Sequence, residues 1–170
     1  MFVPLFRPSL GEDELEALRA VFASGWIGLG PRTQQFEEEV ARYLGVRYAV
    51  GLNSATAALH LALATLGIGE GDEVLLPSLT FVSTAHAVRY TGATPVFVDL
   101  RERSLNLDPE DLERKVTPRS KAVVAVHYGG DPCDMAAVLD VARRRGLLVV
   151  EDAAHAMGTE VDARGTKAGS

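Results

Sequence analysis

The stretch Leu147-Leu148-Val149-Val150-Glu151-Asp152-Ala153-Ala154-His155 changes abruptly from four branched apolar residues to two carboxylates, two alanines and a histidine. A continuous apolar run of this length is typical of a parallel strand that is covered on both faces. In open parallel sheets, ligands bind just beyond the carboxyl ends of the strands. Asp152 lies at that end and is the first candidate for chemistry, with capping of the following segment as its alternative role.

The composition limits the class of protein to which the chain can belong. The chain has 170 residues, of which 47% are hydrophobic, and this suffices for one domain with a sizeable core. A net charge of −6 argues against a nucleic-acid binder, which needs a basic face. The single cysteine, Cys133, excludes a disulfide framework and a thiolate metal cluster. We see no signal peptide and no stretch of transmembrane length, so we expect a soluble cytoplasmic protein.

Two helices are predicted before the first strand. Ser9 and Glu12 have the spacing of a capping box, and apolar residues follow them at helical intervals. The glycine-rich segment Gly25-Trp26-Ile27-Gly28-Leu29-Gly30 then interrupts the helical pattern. Pro31 suits the first turn of a second helix, which Gly45 ends. The expected division of the chain is a helical arm, an α/β core and a polar tail, at residues 1–45, 46–160 and 161–170.

Strand and helix patterns alternate through the predicted core. The segments that we interpret as strands are residues 48–52, 73–76, 95–98, 122–127 and 147–151. Helices are predicted between them, near residues 53–66, 83–90, from 108 onwards, and 134–145. This alternation predicts an α/β fold with a mostly parallel, helix-covered sheet. Right-handed crossovers would bring the carboxyl ends of all the strands to one edge, which we call the rim.

The rim offers three features that suit a phosphorylated aromatic ligand. Residues 53–58 place small side chains and hydroxyls at a helix start, where backbone N–H groups favour an anion, although an ordinary serine N-cap is the simpler interpretation. Phe81 could stack on a planar ring, or it could belong to the core. Asp152 could hold a ring nitrogen in its protonated form. Pyridoxal 5′-phosphate (PLP) would use all three features.

Three histidines are interpreted as structural residues. His60 and His86 fall on predicted helices, and His127 at a strand end is more typical of a hydrogen-bonded core histidine than of a ligand. No spacing of histidine and carboxylate matches a zinc site, so no metal is expected.

Six motifs follow one another along nearly the whole chain. They are GWIGLGP at 25–31, NSATAAL at 53–59, GDEV at 71–74 with PSLTF at 77–81, GATPV at 92–96, VHYGG at 126–130 and EDAAHA at 151–156. Together they resemble the nucleotide-sugar aminotransferases of the DegT/StrS group, which are fold-type I PLP enzymes. Six collinear motifs are far more specific than any one of them. The resemblance implies the N-terminal part of the large domain of such an enzyme.

The resemblance implies how the cofactor's phosphate and ring would be held. Ser54, Ala55 and Thr56 match the phosphate-binding turn of the family. Phe81 falls where the family stacks an aromatic residue, often tryptophan, on the cofactor ring. Asp152 matches the partner of the pyridinium nitrogen.

Two further sites follow from the same resemblance. His155 falls where the family has histidine or glutamine near the phenolic oxygen of the ring. Trp26, Ile27 and Gly28 match part of the sugar-nucleotide entrance, and Trp26 is expected at or near a dimer interface.

The chain departs from the family pattern at the Schiff-base lysine. The family has this lysine shortly after a Gly-Ser that the present chain reaches at Gly169 and Ser170, so it is expected beyond Ser170 and no catalytic residue is assigned. Lys115 and Lys121 are interpreted as surface residues, and Lys167 lies on a segment that nothing in the sequence fixes in place. The family's small C-terminal domain is also expected to be absent, as in a truncated gene, a split protein or a partial chain.

The leading functional hypothesis is an aminotransferase that transfers an amino group to a nucleotide-linked keto-sugar. It would use PLP, take the amino group from an amino acid such as glutamate, and act as a homodimer without nucleic acid or membrane partners. A non-catalytic remnant or binding module is one alternative, which the missing lysine favours. The PLP-dependent sugar dehydratase branch, with histidine in place of the lysine, is another. An unrelated doubly wound domain is the third, and the six collinear motifs argue against it.

Overall fold

Helices and parallel strands alternate through residues 7–170, the part of the chain that the computed structural model describes. The elements are α1 Glu12–Ser24, α2 Pro31–Leu44, α3 Ala55–Thr65, β1 Glu73–Pro77, α4 Val82–Tyr90, β2 Thr94–Val98, α5 Pro109–Lys115, β3 Ser120–Val126, a 3-10 turn Tyr128–Gly130, α6 Met135–Arg145 and β4 Leu148–Asp152. The strands form one parallel sheet in the order β2-β1-β3-β4. The α/β class and the helix-covered parallel sheet are therefore confirmed. Residues 1–6, the start of the expected arm, lie outside the described residues.

The strand predicted at residues 48–52 is wrong. This segment pairs with no other strand in the described part of the chain, and Tyr48 and Val50 are 78% and 75% exposed. The N–H of Gly51 instead donates to the carboxylate of Glu37 at 2.7 Å. An apolar, β-branched pattern shows where a chain can extend, but a strand also needs a neighbour that accepts its backbone hydrogen bonds.

The sheet has a separate hydrophobic core on each face. Helices α3 and α4 cover one face, and α5 and α6 cover the other. Successive strand residues point alternately into the two cores. Val74 and Leu76 belong to one core, and Leu75 between them belongs to the other. Because both faces are covered, the inner strands are continuous apolar runs, as the sequence pattern predicts.

The strand order creates a topological switch between β1 and β3. From β1 the chain passes through α4 to β2 on one side, whereas from β3 it passes through α6 to β4 on the other side. Connections that leave in opposite directions open a crevice beyond the strand ends, and this crevice is where open α/β sheets bind ligands.

The arm helices differ from the prediction at their first cap. Gly11, and not Ser9, caps α1, and the Glu14 carboxylate accepts the N–H of Gly11 at 2.6 Å. Pro31 begins α2 and Gly45 ends it with a φ of 73°, as predicted. No described residue of α1 or α2 is buried, and several large apolar side chains of these helices, such as Phe22 and Phe36, are exposed within one chain.

The tail is held in place, contrary to the expectation for Lys167. The N–H of Val161 donates to the carbonyl of Thr166 at 2.7 Å, and Ala168 is buried. Lys167 Nζ donates to the carbonyl of Tyr43 at 2.8 Å and lies 4.1 Å from the centroid of the Tyr43 ring. The sequence did not show this anchor because its partner lies on α2, far away in the chain.

The amino end of β1 carries a buried carboxylate with a complete set of partners. Glu73 accepts a hydrogen bond from Thr117 Oγ1 and forms an ion pair with Arg119. The hydrogen bond from Thr117 lowers the pKa of Glu73, burial opposes this change, and Arg119 lowers the pKa further.

We predict that Glu73→Gln lowers the free energy of unfolding at neutral pH and that the difference from wild type shrinks in acid. A depressed native pKa stabilises the fold above the unfolded value of about 4.3, and this stabilisation is lost as the pH falls through the native pKa. Urea unfolding from neutral pH to pH 3 measures the effect, with Glu102→Gln on an exposed side chain as control. A difference that stays constant with pH would contradict this assignment.

Candidate functional site

A cavity of about 260 Å³ lies at the switch point, beyond the carboxyl ends of β1, β3 and β4. Its walls come from the start of α3, the β1–α4 connection and the ends of β3 and β4. The lining residues include Ala55, Thr56, Thr80, Phe81, His127, Tyr128, Asp152 and His155. Five of the six predicted cofactor-binding residues thus surround one cavity, which we call the rim cavity.

The start of α3 borders the rim cavity. Ala55 and Thr56 line it, whereas Ser54 lies beside it as the N-cap and accepts the N–H of Ala57 on its Oγ at 3.2 Å. The contact of the Ser54 side chain is therefore that of an ordinary N-cap, which is the simpler of the two interpretations. The first N–H groups of a helix have no intrahelical acceptors and carry a partial positive charge, so this wall favours an anion.

Asp152 is the last residue of β4 and is only 7% exposed. Its Oδ2 accepts a hydrogen bond from Thr84 Oγ1 at 2.9 Å, and its Oδ1 accepts the N–H of Ala154 at 3.3 Å. Neither donor is charged. The two other carboxylates buried to this degree among residues 7–170, on Glu73 and Asp111, both form ion pairs with Lys or Arg.

The unbalanced charge makes Asp152 different from an ordinary cap. Its bond to Ala154 is the local contact that a cap would make, so that role is present. Burial of an ionised carboxylate without a cation costs several kcal/mol, however, and a cap of a surface turn does not require burial. A cation in the rim cavity would reduce this cost.

His155 offers one defined donor at the cavity edge. Its Nδ1 accepts the N–H of Gly129 at 3.3 Å, so Nδ1 carries no proton. The neutral ring then has its proton on Nε2, as assigned from this hydrogen bond. The ring of Tyr128 lies edge-on to His155 with 5.9 Å between centroids. His155 can therefore donate to an oxygen atom bound in the cavity.

Phe81 is 69% exposed at the N-cap of α4 and lines the rim cavity. The alternative in which Phe81 belongs to the core is therefore wrong. An exposed aromatic ring beside a cavity is suited to stack on a planar ligand, because contact removes apolar surface from water.

His127 lines the inner wall of the cavity and is inaccessible to solvent, as predicted for a core histidine. Its Nδ1 accepts the N–H of Cys133 at 3.0 Å, so Nε2 carries the proton that is donated to Glu151 Oε2 at 2.8 Å. The same oxygen accepts the N–H of Gly169 at 3.0 Å. Burial raises the pKa of Glu151, but the hydrogen bonds from His127 and Gly169 outweigh it and leave the pKa below its ordinary value.

Residues 8–170 match the DegT/DnrJ/EryC1/StrS aminotransferase family. The chain belongs to this family. It is 54% identical over 158 residues to the spore coat polysaccharide biosynthesis protein SpsC of Bacillus subtilis, which covers 93% of this chain and 41% of SpsC. The chain therefore spans about two fifths of the length of this relative.

Solved structures of the family share the fold. The aminotransferase TlmJ from Streptoalloteichus hindustanus is 46% identical, with a TM-score of 0.83 over 91% of this chain and 42% of TlmJ. Spr1654 from Streptococcus pneumoniae, solved in its PLP form, is 33% identical, with a TM-score of 0.87 over 92% of this chain and 44% of that one. The fold is thus that of the N-terminal part of fold-type I aminotransferases.

The family's predicted entrance residues do not reach the rim cavity within one chain. Trp26, Ile27 and Gly28 line a separate cavity of about 670 Å³ between the ends of α1 and α2. Trp26 Nε1 donates to the carbonyl of Leu29 at 2.8 Å, which holds the indole in the loop.

Among residues 7–170, no helix has the length and the apolar character needed to cross a bilayer.

Sequence reasoning missed two threonines behind Asp152. Thr80 Oγ1 lies 2.7 Å from Thr84 Oγ1, and Thr84 donates to Asp152. The available signal was weak: the two residues are four apart at a helix start, beside the rim. Nothing in a single sequence pairs them with a carboxylate on another element.

We predict that Glu151→Ala lowers the free energy of unfolding by about 1–3 kcal/mol, because the buried Nε2–H of His127 loses its acceptor. Amide exchange at Gly169 should also become faster, since its N–H loses the same acceptor. Urea unfolding and hydrogen exchange measure the two effects, with Glu102→Ala as the control. If the variant has wild-type stability and unchanged amide exchange at Gly169, the hydrogen bonds that Glu151 accepts from His127 and Gly169 do not stabilise the fold.

Proposed function

We propose that this chain is part of a PLP-dependent aminotransferase that transfers an amino group to a nucleotide-linked keto-sugar. The observation that carries the proposal is the buried carboxylate of Asp152, which has no cationic partner among residues 7–170 and borders the rim cavity. The aminotransferase family and the PLP form of a solved relative support the class of cofactor. The nucleotide linkage of the sugar and glutamate as the amino donor come from the family resemblance.

The walls of the rim cavity suit the two ends of PLP. The start of α3, with Ser54, Ala55 and Thr56, would receive the phosphate, because free N–H groups and the helix dipole favour an anion there. Small side chains at this turn allow close approach to the backbone. Phe81 would lie against the face of the ring and shield it from water.

Asp152 and His155 would orient the ring and fix its protons. The Asp152 carboxylate would accept a hydrogen bond from the ring nitrogen and keep that nitrogen protonated, since opposite charges favour both charged forms. The Nε2–H of His155 would donate to the phenolic oxygen. When bound, PLP supplies an electron sink for charge that develops next to the transferred amino group. The charge on Asp152 makes this sink effective.

No lysine among residues 7–170 lines the rim cavity, and this observation supports a second candidate function. Lys115 pairs with Asp111, and Lys167 is held by Tyr43. A binding module that holds PLP without a covalent link would have this arrangement. In the aminotransferase proposal, the lysine is supplied by a part of the protein outside the present sequence.

Addition of PLP to the purified chain, followed by borohydride reduction and peptide mapping, tests both candidates. We expect a change in PLP absorbance on binding, reversal on dialysis, and no reduced adduct on Lys115, Lys121 or Lys167. An adduct on Lys167 together with amino transfer would overturn the assignment of the lysine outside this sequence. The absence of any binding would contradict the proposed cofactor.

We predict that Asp152→Asn weakens the binding of PLP roughly tenfold or more, because a hydrogen bond between charged groups becomes one with a neutral amide. The fold should persist, since asparagine has the same shape and can still accept from Thr84. Absorbance titration measures the affinity, and Asp13→Asn on the exposed surface of α1 is the control. An unchanged affinity would show that Asp152 is only a cap.

We predict that the chain self-associates through the arm. Apolar side chains on α1, α2 and the loop between them are exposed, with Trp26 59% exposed, and a second copy would cover them. Sedimentation should show a dimer that Trp26→Ser weakens, whereas Leu139→Ser, on the exposed surface of α6, should have no effect. A monomer at every concentration would contradict this expectation.

A further inference from the structure

A pair of hydroxyl groups stands behind the Asp152 carboxylate. Thr84 Oγ1 lies 2.9 Å from Asp152 Oδ2, and Thr80 Oγ1 lies 2.7 Å from Thr84 Oγ1. Thr84 is 1% exposed in the first turn of α4, and 68 positions separate it from Asp152. The contact therefore ties two distant elements together and is not a local turn.

The direction of these hydrogen bonds follows from the carboxylate at their end. An ionised carboxylate only accepts, so the single hydroxyl proton of Thr84 goes to Asp152. The Thr84 oxygen then accepts the hydroxyl proton of Thr80. Two bonds that point the same way polarise each other, so Thr80 strengthens the donation by Thr84. Thr80 itself lines the rim cavity, so the two hydrogen bonds lead from the cavity wall to the buried Oδ2 of Asp152.

The hydroxyl of Thr84 acts on the carboxylate more than on the packing. Valine has the same shape, and a buried hydroxyl is costly unless it is hydrogen-bonded. The donors on Asp152 are the Thr84 hydroxyl on one oxygen and the Ala154 N–H on the other. Two donors on different oxygens fix the plane of the carboxylate.

Neutral donors also leave the charge of Asp152 available. Glu73 and Asp111, which are equally buried, have Lys or Arg as partners, and such a cation would compete with a positively charged ligand. A hydroxyl stabilises the ionised form of a carboxylate without neutralising it. The negative charge of Asp152 therefore remains available to a ligand nitrogen, and an adjacent negative charge favours the protonated form of that nitrogen.

We infer that Thr84, supported by Thr80, is a positioning residue that orients the Asp152 carboxylate and keeps the shared proton on the ring nitrogen of the cofactor. This inference rests on the proposed function, in which Asp152 meets that nitrogen. Thr84 acts through Asp152 and does not itself contact the ligand.

The test is a titration of the chain with PLP that carries ¹⁵N in its ring, because the ¹⁵N resonance reports the protonation of that nitrogen. Thr84→Val should weaken binding about tenfold and move the resonance towards the unprotonated position. Thr84→Ser, which restores the hydroxyl, should recover both values. Thr80→Val should give a smaller change in the same direction. Thr65→Val, which removes a hydroxyl at the far end of α3, should leave both unchanged.

The outcomes separate this inference from the proposed function. If the wild-type chain binds PLP and Thr84→Val shows the same affinity and the same ¹⁵N resonance, the inference about Thr84 is overturned and the proposed function is not affected. If Thr84→Val does not fold, Thr80→Val decides, and wild-type values in that variant would overturn the inference. Failure of the wild-type chain to bind PLP would contradict the proposed function, and the role of Thr84 towards this ligand would fall with it.

Discussion

The carboxylate of Asp152 is buried without a cation among residues 7–170, and the interpretation of the rim depends on this charge. Desolvation of a carboxylate costs several kcal/mol in a folded protein. Hydrogen bonds from Thr84 and Ala154 offset part of that cost but leave the negative charge in place. A bound cation is therefore stabilised at this point. In the proposed function, the helix start at Ala55 and the exposed ring of Phe81 favour a cation that also carries an anionic group and a flat ring.

The topology of the sheet places the Asp152 carboxylate at the crevice where a ligand can reach it. Both faces are covered by helices, so β4 can be apolar along its length and place its first free polar side chains only where it ends. The connections from β1 and β3 diverge at the same edge and open the crevice into which that end projects. Glu151, on the opposite face from Asp152, binds Gly169 and holds the following segment beside the rim.

The sequence predicted most of the fold because periodicity and caps are local. The strands at Glu73–Pro77, Thr94–Val98, Ser120–Val126 and Leu148–Asp152 and the helices between them follow from apolar runs and capping residues. The segment at 48–52 has the same pattern but no pairing partner among residues 7–170. Pairing is a tertiary property that no local pattern contains. The anchor between Lys167 and Tyr43 was missed for the same reason.

The site was predictable to the extent that its residues lie at strand ends. Asp152 and His155 follow directly from the end of β4, and their roles came from the family resemblance and not from spacing alone. Thr84 lies on another element, and its hydroxyl reaches Asp152 only in the folded structure. Trp26 lies in a different cavity, between the ends of α1 and α2.

The most direct test of the central claim compares PLP with an analogue in which the ring nitrogen is replaced by C–H. If Asp152 is built to hold a protonated nitrogen, the wild-type chain should bind PLP at least about tenfold more tightly than the analogue, and Asp152→Asn should bind the two with similar affinity. Equal affinity of the wild-type chain for both compounds would show that the buried carboxylate does not recognise the ring nitrogen, and would contradict the claim.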